Sequence, residues 1–182
     1  MKKQLLFTLA AVLFSVLITA AQEKPKTYEA DPKDVESIDS IIKATYDSIS
    51  GGIGVKRNWD RFNSLFHPSA RLIPTGKNQQ TGVFAARAMS PQDYIDSSGA
   101  FLVNNGFTEK EIARHTDTFG NIVQAFSSYE GTFTQNGNPG KIRGINSFQL
   151  MNDGKRWWIV TIFWQAEGAD NPLPEKYLKN EN

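Results

Sequence analysis

From Glu109 to Ala166 the chain alternates with a period of two, and this stretch restricts the fold more than any other. Residues 109 to 119 and 121 to 134 read as strands joined near Gly120-Asn121. Residues 141 to 151 and 156 to 166 read as a second pair, joined at Asp153-Gly154. An Asp-Gly pair between β-rich runs is a strong hairpin signal, because glycine supplies the positive φ of a tight turn. A turn at Gly120-Asn121 sets Phe126 opposite His115 and Gln124 opposite Asp117. A two-residue loop at Asp153-Gly154 sets Trp158 against Gln149, Val160 against Ser147 and Ile162 against Ile145, with Trp164 farther along the same face. The other face then carries Asn146, Phe148, Leu150, Trp157, Ile159, Thr161 and Phe163. The first set mixes large apolar walls with hydrogen-bonding groups, as a small-molecule site requires, and the second is the better core. The competing reading is that both faces are core or a dimer interface.

The N-terminal half has helical spacing. Asp31 before Pro32 is a good cap, and Val35, Ile38, Ile42, Thr45 and Ile49 follow at three- and four-residue intervals until the glycines of residues 50 to 54. A second helix over 58 to 66 presents Trp59, Phe62 and Phe66, and His67-Pro68 ends it. Residues 70 to 74 read as a short strand, and 75 to 89 as loop with an irregular strand inside it. Ser90-Pro91 with Asp93 opens a third helix, whose Tyr94, Ile95, Phe101 and Leu102 face inward and which Gly99 bends or splits. Helices first and antiparallel strands after make an α+β fold with the helices against one sheet face.

Residues 1 to 21 have the pattern of a signal peptide: Lys2 and Lys3, an apolar run from Leu5 to Ile18, then small residues. A retained anchor is the alternative, although the run is short for a bilayer span of roughly 20 residues. Cleavage implies an exported protein, periplasmic or extracellular, with no stable membrane anchor. Residues 22 to 33 read as a flexible linker and 169 to 182 as a mostly disordered tail. The formal charge is +1, or −1 without the two leader lysines, so electrostatics give no reason to expect nucleic acid. No cysteine is present, which leaves stability to core packing. Two histidines far apart make a zinc site improbable, and the glycines near residue 52 lack the phosphate-binding spacings.

Together, the first helix, the segment NWDRFNSLFHPSARLIPTG, the long strands from Glu109 and the closing hairpin RGINSFQLMNDGKRWWIVTIFWQAE resemble the nuclear transport factor 2-like superfamily, which includes ketosteroid isomerase and SnoaL-like polyketide cyclases. The resemblance covers residues 34 to 168. It implies a cone in which three N-terminal helices pack on a strongly curved, mainly antiparallel sheet and enclose an apolar pocket. Tyr46, Trp59, Phe62, Tyr94, Phe101, Gln149, Trp158 and Trp164 are the residues expected to form or close that pocket around a small apolar molecule, with no cofactor. The isomerase base would precede the proline of the short strand; Ile73 stands there and takes no proton. Tyr46 either stands in for that family's donor tyrosine or packs in the core with its hydroxyl satisfied.

His115 and Asp117 form the acid/base pair worth naming, a histidine oriented by a carboxylate on one strand face, about 7 Å apart. They suit a cofactor-free lyase or isomerase, or else an exposed pair or a polar network at a dimer contact. His67 reads as a helix-end cap, and Arg114 and Arg143 as exposed strand residues or clamps for an anionic group. The alternative function is a non-catalytic assembly domain, a homodimer through the open sheet face carrying Phe148, Trp157 and Phe163.

Overall fold

In the computed structural model the described residues are 27 to 180, so the expected signal peptide and the first part of the linker lie outside them. The expected first helix is two. Helix α1 (Pro32–Val35) starts at Asp31, whose side chain accepts from the Lys33 amide. Ser37 then caps a new start: α2 (Ile38–Ile49) opens with the Ser37 and Ser40 side chains each satisfying the other's backbone amide. That reciprocal cap removes two unpaired donors and fixes the break. Helix α2 buries Ile41, Ile42, Thr45, Tyr46 and Ile49.

Helix α3 (Trp59–Ser64) is shorter than its spacing suggests, because strand β1 (Phe66–Lys77) begins ahead of Pro68. The residue before proline prefers extended backbone, so His67 starts the strand instead of ending the helix. Strand β2 (Phe84–Ala86) folds back on β1. Helix α4 (Pro91–Asn104) has the Ser90/Asp93 capping box and runs unbroken through Gly99. A Cβ at Gly99 would sit 3.1 Å from Trp59 Cζ2, so the glycine lets the α3 indole rest on α4.

Strands β3 (Thr108–Phe119), β4 (Ile122–Gln135), β5 (Asn138–Asn152) and β6 (Trp157–Ala166) complete a six-stranded sheet in the order β2-β1-β6-β5-β4-β3. Every neighbouring pair is antiparallel except β1 and β6. The helices cover one face, where Ile41, Phe62, Leu65, Phe148 and Ile159 are almost wholly buried.

The β3–β4 register agrees with the sequence: His115 pairs with Phe126 and Asp117 with Gln124. The β5–β6 register does not. Asn152 pairs with Trp157, so the loop is the four residues 153 to 156, closed by the Asp153 amide donating to the Arg156 carbonyl. This slips the strands by two residues relative to an Asp-Gly loop. An irregularity between Gln149 and Leu150, opposite residues 159 to 161, adds one more, and Phe148 pairs with Ile162 and Asn146 with Trp164. An odd slip exchanges faces. Asn146, Phe148 and Leu150 therefore join Ile162 and Trp164 on the inner face, whereas Gln149 and Phe163 lie outside.

The C-terminal segment is also not the expected disordered tail as far as residue 180. It crosses the outer face of β3 and β4 through a 3-10 turn at Glu175–Leu178. Ser128 Oγ donates to the Tyr177 carbonyl at 2.6 Å, the Arg114 amide donates to Asn180 Oδ1, and Tyr177 packs on Phe126 and His115.

Candidate functional site

A cavity of about 320 Å³ lies between α2, α3 and α4 and the inner sheet face. Its walls are aromatic: Tyr46, Phe62, Tyr94, Phe101, Phe107, Tyr129, Phe148 and Trp164, with Ile49, Leu72, Leu102, Ile142 and Ile162 between them. Phe62 stacks on Tyr94 at 5.6 Å, and Tyr94 meets the Trp164 ring edge-on at 6.2 Å. Such a volume is at the small end of the roughly 300–1,000 Å³ usual for ligand sites.

Glu109, Asn146, Thr45 and Ser98 are the cavity's other polar side chains besides the tyrosines. Glu109 is anchored at its backbone by Ser50, whose hydroxyl accepts from the Glu109 amide and donates to its carbonyl. An irregularity between Glu111 and Ala113 sets which side of β3 faces in: Glu109 and Glu111 point to the helices, whereas His115 and Asp117 point away. The Asn146 Nδ2 group donates to Glu109 Oε1 at 3.2 Å and to Tyr46 Oη at 3.1 Å. Ser127 donates to Glu111 Oε1 at 2.6 Å, so the Tyr46 hydroxyl, 2.7 Å from Ser127 Oγ, must donate to it. Tyr46 thus has no proton left for a ligand. Tyr94 and Tyr129 also line the cavity, and no hydrogen bond from their hydroxyls is found among the described residues.

Burial pushes the Glu109 carboxyl up to about 7, against which the Asn146 bond acts weakly. Burial and then the Glu109 charge push the phenols of Tyr46, Tyr94 and Tyr129 above their ordinary range, so they stay neutral. The chamber therefore offers neutral phenols beside one carboxyl that exchanges its proton near neutrality.

Five of the eight expected pocket residues line this cavity: Tyr46, Phe62, Tyr94, Phe101 and Trp164. Trp59 is one layer behind, edge-on to Phe62 at 5.9 Å. Gln149 is exposed on the outer face, opposite Thr161. Trp158 is at the hairpin end, its Nε1 donating to Asp153 and its ring under the Arg156 guanidinium. His115, Asp117 and Trp164 do not converge. His115 and Asp117 share a separate surface hollow with Gln124, Phe126, Lys176 and Tyr177, and His115 Nε2 is 2.6 Å from the Lys176 carbonyl.

His67 holds Ser69 at the start of β1, not a helix end. Arg114 pairs with Asp39 and Glu111, and Arg143 with both Glu167 oxygens. Trp157 packs against the core and Phe148 is wholly buried, so neither can belong to an exposed dimer patch. Glu109 is absent from the sequence-based assignment. The available signal was Asn146, an amide in the apolar alternation Asn146-Phe148-Leu150, which must have a buried partner.

No protein-family model matches the chain, and no curated protein matches it. Solved structures do. A calcium/calmodulin-dependent protein kinase II association domain from Xanthomonas campestris superposes with a TM-score of 0.55 at 18% identity, covering 72% of this chain and 86% of that one. The beta subunit of an aromatic-ring-hydroxylating dioxygenase from Novosphingobium aromaticivorans gives 0.56 at 14% identity, covering 73% and 88%. LinA gives 0.56 at 9% identity, covering 73% and 85%. With helices over one face of a six-stranded mixed sheet, the chain has the fold of the nuclear transport factor 2-like superfamily.

Proposed function

We propose that this is an exported protein that takes one small, largely apolar molecule into the chamber between its helices and its sheet. The observation that carries this is the aromatic cavity of about 320 Å³ with a carboxyl at its polar end. Export rests on residues 1 to 21 alone. If the protein turns its ligand over, Glu109 is the group placed to move a proton, since a carboxyl that titrates near 7 serves as acid or base at neutral pH. Ser98 lines the cavity from α4, and Ser98→Phe fills it. Wild-type protein is expected to bind a neutral apolar fluorescent probe one to one, and the Ser98→Phe variant to lose at least tenfold in affinity with an unchanged circular dichroism spectrum. Equal binding by the two proteins would remove the cavity from consideration.

A second reading is association through the outer sheet face. Phe163 is 45% exposed there, beside a hollow that includes Phe126, Ile145 and Leu173, and one similar structure is named an association domain. Sedimentation at micromolar concentration is expected to show a dimer that Phe163→Glu converts to monomer. A wild-type monomer ends this reading and leaves the first untouched.

A further inference from the structure

Glu109 has no cation partner among the described residues, unlike several other partly buried carboxylates. Asp34 lies against Arg61, Glu111 against Arg114, Glu130 against Lys141 and Glu167 against Arg143. Among the described residues, the only side-chain partner of Glu109 is the Asn146 amide, and no lysine, arginine or histidine lines the cavity. A carboxylate taken from water is stabilised chiefly by an opposite charge, and a neutral amide is a weak substitute. The groups around it suit a cation. Tyr94 and Tyr129 line the same cavity and their phenol oxygens can accept, which with the carboxylate gives as many acceptor groups as an ammonium has N–H donors. Aromatic faces attract ammonium groups while their hydrocarbon neighbours receive an apolar substituent.

We propose that the cavity ligand is a small apolar amine, bound as the ammonium against the Glu109 carboxylate with its hydrocarbon among Phe62, Phe101, Phe148 and Trp164. This rests on the cavity being a ligand site and adds the chemical class. The groups facing Glu109 are Tyr46 from α2, Tyr94 from α4, Tyr129 from β4 and Asn146 from β5, with Glu111 linked beyond Tyr46 and Ser127. The tyrosines remain neutral throughout the neutral range, so Glu109 is the group in the cavity that titrates there. On binding, the ammonium displaces the carboxyl proton to solvent. Affinity is therefore expected to rise about tenfold between pH 6 and pH 8 as Glu109 ionises through about 7.

The test uses 2-phenylethylamine and 2-phenylethanol, which share a ring and chain and differ in charge, titrated calorimetrically into the wild type and Glu109→Gln. The amine is expected to bind the wild type at least tenfold more tightly than the alcohol, with proton release that diminishes from pH 6 to pH 8. In Glu109→Gln, the amine is expected to lose roughly 10- to 100-fold, the range of a charge-assisted bond, and the alcohol to change little. Retained alcohol binding certifies that the variant is folded and its cavity intact. Alcohol binding at least as tight as amine binding overturns the amine assignment and leaves the apolar cavity standing, with protonated Glu109 donating to a neutral ligand. Failure of both compounds to bind wild type defeats both proposals.

Discussion

Glu109→Gln is expected to be more stable than the wild type by up to about 3 kcal/mol at pH 8 and by less than about 1 kcal/mol at pH 5. The carboxyl titrates at about 7 in the folded chain and near 4.5 when unfolded, because burial disfavours its charged form. Between those values the folded state holds a proton that the unfolded state has lost. Stability therefore falls as pH rises, by about 1.4 kcal/mol per pH unit while the difference lasts. Below about 4.5 both states are protonated and no penalty exists; above about 7 it is complete. Glutamine is neutral at every pH and still accepts from Asn146, so the variant lacks the penalty. Carboxylates with lowered values, such as Asp34, Glu130 and Glu167, contribute the opposite slope, but equally in both proteins. The difference in melting temperature at pH 8 should be on the order of 8 °C for a domain of this size. An equal difference between the two proteins at pH 5 and pH 8 would mean that water reaches the carboxyl freely, and the acid/base role would go with it.

How far the sequence could be read depends on local geometry. The β3–β4 pairing was legible because Gly120-Asn121 is a tight turn and the strands run regularly on from it as far as Ala113. The same reasoning failed at β5–β6, where an Asp-Gly signal sits inside a four-residue loop and one irregularity exchanges the strand faces. Most of the aromatic wall was nevertheless identified, since Tyr46, Phe62, Tyr94 and Phe101 belong to helices whose 3.6-residue period is insensitive to strand register. Trp164 was assigned to the cavity together with Gln149, but its true neighbour is Asn146. Glu109 could not be found from alternation. The irregularity just beyond Glu111 turns it inward while His115, six residues on and of the same parity, turns outward. An irregularity leaves no reliable mark in composition, so the pair with the more familiar catalytic chemistry was favoured over a glutamate between Thr108 and Lys110.

Arg57 was invisible for a different reason: it sits in a loop without periodicity, yet it holds the cavity's rear wall together. Its Nε donates to the Ile49 carbonyl at 2.9 Å, and its Nη2 to Gly51, Leu102 and Phe107 at 2.8, 2.7 and 3.1 Å; Nη1 donates to Val55. One planar fork thus joins the C-terminal ends of α2 and α4 to the start of β3. The carbonyls at helix ends carry partial negative charge, which here replaces a carboxylate as the counterion. Gly51 is required for this: a Cβ there would lie 2.5 Å from Arg57 Nη1.

Arg57→Met is expected to cost about 2–3 kcal/mol in urea denaturation, because it leaves the buried Ile49 carbonyl without a donor and leaves those of Leu102 and Phe107 with their backbone donors alone. Arg57→Lys keeps the charge but offers three donors to five acceptors, and should recover no more than about half of that loss. Ile49, Leu102 and Phe107 line the cavity, so both variants should weaken ligand binding in the same order as they lose stability. A lysine variant as stable as the wild type would show that charge alone suffices there. A methionine variant within about 1 kcal/mol of the wild type, the range of an ordinary substitution, would show that the five bonds hold nothing in place.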